Sequence, residues 1–427
     1  MCAVGGFVVI TAVLVGLGHR GVGYATYADS RPDELQIVGV AEPDEVRRAR
    51  YAERFGVGPE NCFASAEELA AVERFADVAI NGTMDEIHVE TTVPLLEAGY
   101  DVLLEKPIAP NKDQLNLLDD AVKRTGRKVV ICHVLRYAPF YAAIKQRVAD
   151  GEIGDIMHIH TTENVSYHHM AVAFIRGKWN RKETNPMLLA KCCHDLDLVC
   201  WMKTGIEPKK VASFGGRHFF TEDNAPDGSA KRCIDCSIER DCDYSAIRHH
   251  VDQGMWSFYA LAGEANYERE GVADEDVMRA HVAGSDYGRC VWHCDNDVVD
   301  RQSVIIEFED GCVATHDMVT NSAKGTRRIQ ITGTKGDIFG DMMDGKFTIS
   351  KPGAVAGSEA IVEEIQIDLQ GDLHGGGDLR LVADFLSVVR GDGGSISTTS
   401  LSDSINSHLI AYAADVAMRE ERVVTID

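Results

Sequence analysis

At 427 residues the chain exceeds one ordinary domain, and 45% hydrophobic with 26% charged residues is the composition of a globular protein with a large core. Its 43 Lys and Arg against 67 Asp and Glu give a net charge of -24, which repels nucleic-acid phosphates and anionic headgroups and argues against nucleic-acid and membrane-surface roles. The 12 cysteines without an export signal point to a reducing compartment, by default the cytoplasm.

The apolar run from Gly5 to Gly18 has no basic residue before it, is shorter than a spanning helix, and leads into a glycine loop, so it reads as a buried strand. Strand-like runs then alternate with amphipathic helices, the pattern of a doubly wound parallel sheet. The expected strands are Phe7 to Val15, Leu35 to Ala41, Ala76 to Asn81, Asp101 to Glu105 and Lys128 to His133. Helices are expected near Val22 to Ala28, Glu45 to Phe55, Glu67 to Val72, Glu86 to Ala98 and Lys112 to Thr125. This sets a Rossmann domain at residues 1–134 and an α+β domain at 135–427.

In the second domain the spacing predicts helices Ala138 to Asp150 and Met187 to Met202, with a strand Met157 to Glu163 between them. Closely spaced strands follow: Arg289 to His293, Ser303 to Glu309, Cys312 to Val319, Arg327 to Thr332, Asp337 to Met343, Lys346 to Ser350 and Glu363 to Asp368. Short turns between them favour a large, open, mostly antiparallel sheet. Helices Asp378 to Val389 and Ser402 to Met418 and a strand Val423 to Ile426 close the chain.

Gly16, Gly18 and Gly21 sit between a strand and a helix, where glycine permits a tight turn, close approach of backbone to a pyrophosphate, and tight helix packing. His19 and Arg20 lie in the same turn, at a helix N-terminus that favours phosphate. Glu42 ends the second strand about twenty residues later, the place of an acid that binds ribose hydroxyls and repels a 2'-phosphate. That favours NAD, with Arg47 and Arg48 nearby keeping NADP open. Glu105-Lys106-Pro107 ends another strand at the ligand edge, where the Lys106 ammonium can stabilise an oxyanion as hydride leaves its carbon.

The order of glycine loop, Glu42, Thr83 to His88, Glu105-Lys106-Pro107 and His194-Asp-Leu-Asp197 resembles the Gfo/Idh/MocA oxidoreductases, the glucose-fructose oxidoreductase and inositol dehydrogenase family. The closing segments His374-Gly-Gly-Gly-Asp378 and Ser407-His408 extend the likeness. It implies NAD(P)-dependent oxidation or reduction of sugars and cyclitols, with Lys106 and His194 as catalytic residues facing one nicotinamide ring. Asp197, a helical turn on, is positioned to orient His194. Many members carry an acid four residues before that histidine. Here Ala190 takes the place, followed by Lys191, a candidate for polar work in the pocket and for lowering the histidine pKa together with Lys106.

Asn81, Thr83, His88, Glu105 and Lys106 complete the expected cofactor set. Arg136, Tyr137, Tyr167, His169, Arg176 and Trp179 are the substrate candidates beside Lys191 and His194, since aromatic faces and multidentate donors suit a sugar ring. Cys233-x-x-Cys236-x5-Cys242 suggests a structural zinc site with His218 as the favoured fourth ligand, and His249 and His250 behind it. Cys192 and Cys193 read as small core residues, and Cys290 and Cys294 as one face of a strand.

Three functions follow. The first moves hydride between nicotinamide and a sugar, glycoside or cyclitol carbon. The second is a redox-assisted glycosidase or lyase that recycles its NAD. The third is a non-catalytic nicotinamide or sugar sensor, for which the absent acid at Ala190 is the best support. An open sheet face also predicts a homodimer or homotetramer.

Overall fold

The computed structural model describes residues 8–261, 274–369 and 373–426. Phe7 of the expected first strand, and the start of the Gly5 to Gly18 run, lie outside them. Contacts divide the chain into two units: one formed by Met1–Asp150 and Ile367–His408, the other by Gly151–Gln366 and Leu409–Asp427.

In the first unit, strands β1 (Ile10–Val15), β2 (Leu35–Ala41), β3 (Cys62–Phe63), β4 (Val78–Asn81), β5 (Asp101–Leu104) and β6 (Val129–Ile131) form a parallel sheet in the order 3-2-1-4-5-6. That is the doubly wound order, in which the direction of winding reverses between β1 and β4. A sheet covered on both faces needs strands that are apolar throughout rather than alternating. Ala12, Val13, Leu14 and Val15 meet that demand by being buried in succession.

The covering helices carry their own boundary signals. Helix Lys112–Thr125 starts where the Asn111 side chain accepts the Gln114 amide at 3.0 Å, and it buries Leu115, Leu118 and Ala121. Helix Glu45–Phe55 starts in the same way on Asp44. Helix Gly377–Arg390, remote in sequence, returns to this unit and places Leu381, Val382, Phe385 and Leu386 in the core with Leu14, Tyr24 and Tyr137. Each such apolar side chain contributes about 1.5–3 kcal/mol on burial.

The second unit holds β7 (Ile156–Ser166), β8 (Pro208–Gly216), β9 (Arg301–Phe308), β10 (Val313–Ser322), β11 (Thr326–Gly333), β12 (Asp337–Asp341), β13 (Lys346–Lys351), β14 (Ile361–Gln366) and β15 (Val424–Thr425). They form one sheet in the order 14-13-12-11-7-10-9-8-15, antiparallel except where β7 meets β10. The expected architecture of a Rossmann sheet followed by a mostly antiparallel one is therefore present. Helix Met187–Met202 is buried along nearly its whole length. Among the described residues no helix is long and apolar enough to cross a membrane.

Among the described residues, one expected strand is absent. Arg289 to His293 is not a strand: Arg289 makes only an isolated bridge to Arg232, and the chain turns after it. Cys290, Val291 and Trp292 instead line a small cavity in succession as the chain turns, so Cys290 and Cys294 do not share a strand face. Strand β8, in a stretch where no strand limits were assigned above, ends at Gly216, where pairing with Arg301 of β9 ends.

Candidate functional site

In the first unit the candidate residues gather at the carboxyl ends of adjacent parallel strands. Gly16 follows β1 with φ +77°, and a Cβ there would lie 2.7 Å from the Thr83 amide nitrogen. A Cβ on Gly21 would lie 2.4 Å from the Gly16 carbonyl oxygen. The turn therefore closes only with glycine at both places. Gly18 precedes helix His19–Ala25 and no side chain caps that helix, so its entrance is left to backbone donors.

Glu42, 5% exposed at the end of β2, accepts the Leu17 amide of the glycine turn at 2.8 Å. Arg47 lies 3.4 Å from its other carboxylate oxygen, and Arg48 bonds its carbonyl. Both arginines are thus engaged with Glu42 and its backbone. Asn81 ends β4 and is held on four sides: its amide nitrogen donates to Thr91 and Thr92, and its oxygen accepts from the Thr83 amide and hydroxyl. His88 is buried, with ring nitrogens 2.6 Å from the Pro107 carbonyl and 3.1 Å from that of Thr83. It links the segment after β4 to the segment after β5.

Glu105 follows β5, its amide bonded to the Asn81 carbonyl at 2.8 Å. Its carboxylate accepts the Lys106 amide at 2.8 Å, the Tyr24 hydroxyl at 3.1 Å and the Arg20 guanidinium at 2.9 Å. Arg20 also bonds Asp378 and Tyr24. Burial pushes the Asp378 carboxyl up, but the His374 hydrogen bond and the Arg20 charge outweigh it and hold its pKa at about 2. Lys106 itself is half-buried and precedes a cis peptide to Pro107. Arg20 is therefore engaged by carboxylates, while Gly16, Gly18, Gly21, Glu42, Asn81, Thr83, Glu105 and Lys106 share the ligand edge of one sheet.

Arg136 and Tyr137 also belong to this unit. Arg136 donates to the carbonyls of Thr398 and Asp403, and the Tyr137 hydroxyl to Asp384 at 2.9 Å, so both tie the closing segment down. His408 accepts the Ile108 amide at 2.9 Å and stacks on His133, which gives the Ser407-His408 segment its place beside the Lys106-Pro107 turn.

In the second unit, helix Met187–Met202 carries Ala190, Lys191, His194 and Asp197; His194 and Asp197 are buried. Lys191 lies 3.2 Å from Glu163 of β7. Arg327 of β11 bonds Glu163 and lies 3.2 Å from Asp195. Burial opposes charge on Glu163, yet Arg327 and Lys191 bring its pKa below the ordinary value. Asp195 is instead pushed up, by burial and by the neighbouring Glu163. Glu163, Asp195 and Arg327 carry no signal in the sequence, because they lie far apart in it and meet only across the sheet.

Among the described residues, Cys192, Asp195 and His316 bring potential ligand atoms within 4.8 Å of one another. Arg327 and Lys191 already supply two cations to the adjoining carboxylates, which disfavours a metal ion there. Cys192 and Cys193 are fully buried, as expected of core residues.

Tyr167, His169 and Trp179 are half-buried within an aromatic group that adds His168, Trp256 and Tyr259; His169 stacks on Trp256 at 4.7 Å. Arg176 departs from them. It is buried and bonds the carbonyls of Arg289 and Tyr244 beside the cysteine loop. His218 is exposed, its amide bonded to Asp300, and is not among the residues lining the cysteine cavity.

These features agree with the family comparison. Residues 10–133 match the model for the oxidoreductase family, NAD-binding Rossmann fold, and residues 145–426 match its C-terminal alpha/beta domain. The chain belongs to the Gfo/Idh/MocA oxidoreductase family. It is an NAD-binding oxidoreductase, and the sensor reading loses its footing. YteT of Bacillus subtilis, named an oxidoreductase, is 23% identical over 310 residues, 71% of this chain and 69% of that protein.

Inositol 2-dehydrogenase 4 of Saccharopolyspora erythraea is 26% identical over 217 residues, and the match covers 50% of this chain and 59% of that protein. Among solved structures, a levoglucosan dehydrogenase in complex with NADH superposes with TM-score 0.71 at 17% identity, covering 98% of this chain and 99% of that one. The apo scyllo-inositol dehydrogenase of Lactobacillus casei gives 0.64 at 16% identity, covering 98% of each. At such identities these structures speak for the fold.

Proposed function

We propose that the protein is a dehydrogenase that moves hydride between NAD and a CH-OH carbon of a sugar, glycoside or cyclitol. The observation that carries this is the alignment of the Gly16 turn, Glu42, Asn81, Thr83 and Glu105-Lys106 on the ligand edge of one parallel sheet, around the point where its winding reverses. The glycine turn admits a pyrophosphate at the helix entrance. Glu42 exchanges the Leu17 amide for ribose hydroxyls and disfavours a 2'-phosphate, so NAD is preferred over NADP. The names of the relatives support the substrate class, inositol for one and levoglucosan for another.

When bound, nicotinamide supplies the hydride acceptor or donor. Lys106, fixed after β5, holds the substrate oxygen and stabilises the charge that develops on it. His194 takes the hydroxyl proton in oxidation and returns it in reduction. Lys191 and Asp197 position this helix: Glu163 engages Lys191, which removes the reason to expect that lysine to drive a separate elimination. Tyr167, His169 and Trp179 offer ring faces to the sugar. The thiols of the second unit take no part in this chemistry.

A homodimer or homotetramer is part of the proposal. Phe339, His160, Thr315 and Ile305 lie in one cross-sheet row, and Phe339 and Ile305 are exposed on it. A second copy would cover that face, in a cytoplasmic setting that keeps the thiols reduced. Incubating the protein and NAD with a panel of sugars, glycosides and cyclitols tests the function, following nicotinamide absorbance and released aglycone. Net NADH formation supports a dehydrogenase; aglycone release without NADH contradicts it.

A further inference from the structure

We propose that Cys233, Cys236, Cys242 and Cys290 hold a structural zinc ion in the second unit. The four line a single cavity with Arg176, Tyr244 and Trp292, and its space of about 10 Å³ is that of one water-sized particle. Such a space leaves no room for an organic ligand and suits a single ion on which the thiols close. Three of the thiols come from the loop and the fourth from a segment some fifty residues further along the chain. The Arg232 to Arg289 bridge and the bond from the Cys290 amide to the Lys231 carbonyl, 2.9 Å, carry Cys290 to the side of Cys233.

Two observations besides the thiols point to a charged occupant. Arg176 is 2% exposed and lines the cavity; its donors reach two carbonyls and the Cys233 sulfur at 3.6 Å, and one guanidinium nitrogen has no partner. Among the described residues no carboxylate forms an ion pair with it. A buried guanidinium without an anion is costly. Four thiolates around Zn²⁺ carry a net charge of -2, which supplies the missing anion. The Ala246 amide also donates to the Cys233 sulfur at 3.4 Å, the kind of support that metal-bound thiolates receive.

The segment needs such an anchor. Residues 217–245 contain short single turns but no strand or α-helix, and long irregular segments without a core of their own are uncommon unless functional. Among the described residues the four sulfurs are not gathered within 4.8 Å of one another, so ligation draws them inward by side-chain rotation. Binding forms four Zn–S bonds of about 2.3 Å and releases the four thiol protons to solvent. The fourth ligand is thus a cysteine and not His218.

The test uses the full-length protein purified from zinc-supplemented medium. Elemental analysis is expected to find about one zinc per chain, released when a mercurial titrates the thiols. Cys290→Ser and Cys236→Ser each lose the zinc, whereas His218→Ala and Cys312→Ser retain it. Cobalt in place of zinc gives thiolate-to-metal charge-transfer absorption in the wild type, a readout that does not depend on a variant folding. Wild type without bound metal, zinc retained by Cys290→Ser, or a cobalt spectrum lacking thiolate bands would each overturn the site. Oxidoreductase activity decides none of these outcomes.

Discussion

Two buried charge networks, one in each unit, use the same device to opposite effect. In the first, Arg20 joins Glu105 and Asp378, and the partly exposed guanidinium sits beside the glycine turn. In the second, Lys191 and Asp195 of helix Met187–Met202 meet Glu163 of β7 and Arg327 of β11. One cation holds Asp378 in its ionised form; two cations hold Glu163 ionised while Asp195 is pushed toward its neutral form. Counting charges does not foretell this difference. Burial opposes charge on all three carboxylates, and nearby partners outweigh it at Asp378 and Glu163 but not at Asp195, where Glu163 adds to it.

Arg327→Met leaves two buried carboxylates to one lysine. It is expected to destabilise the chain by about 3–5 kcal/mol, read as a lower urea midpoint. Adding Asp195→Asn should recover part of the loss, because that side chain no longer needs the cation. An unchanged midpoint would mean that the four groups are not coupled.

A smaller effect separates the two networks by sign. The Asp378 carboxyl, held near 2 when folded and near 3.9 when unfolded, contributes stability that is present above about pH 4 and lost as pH falls toward 2. The amount is about 2 kcal/mol, and Asp378→Asn should flatten the acid limb of a pH-stability profile. Asp195 works in the other direction, since its raised pKa gives stability that is lost as pH rises through the folded value. A wild-type acid limb no steeper than that of Asp378→Asn would refute the first half of this contrast.

The smallest expected effect concerns the turn that the first network borders. Gly21→Ala places a methyl group against the Gly16 carbonyl, and NAD affinity should fall by about tenfold, or ~1.4 kcal/mol, in a fluorescence titration. Unaltered affinity would show that the turn does not approach the cofactor closely.

The two regions also differed in how far the sequence revealed them. Strand Leu35–Ala41 and helices Glu45–Phe55 and Lys112–Thr125 match their expected limits, because periodicity and capping are local properties. The glycine turn and Glu42 were legible for the same reason: turn, helix entrance and strand end lie within a short stretch of chain. Glu163, Asp195 and Arg327 were not, since their meaning comes from sheet register, with Arg327 paired opposite Glu163 across β7 and β11. Arg289 to His293 misleads because a short apolar run reads as a strand whether it lies in a sheet or, as here, lines a cavity in a turn. Arg20 and Arg176 look like ligand contacts in the sequence, and only their buried partners reveal other work.

In the proposed reaction Lys106 and His194 carry the oxidation step. It is tested most directly by turnover of Lys106→Met and His194→Ala, using whichever sugar or cyclitol of the panel reduces NAD with the wild type. Each variant should lose about 10²–10⁴ in kcat, and His194→Ala should bind NAD as the wild type does. Wild-type turnover in either variant would contradict the account.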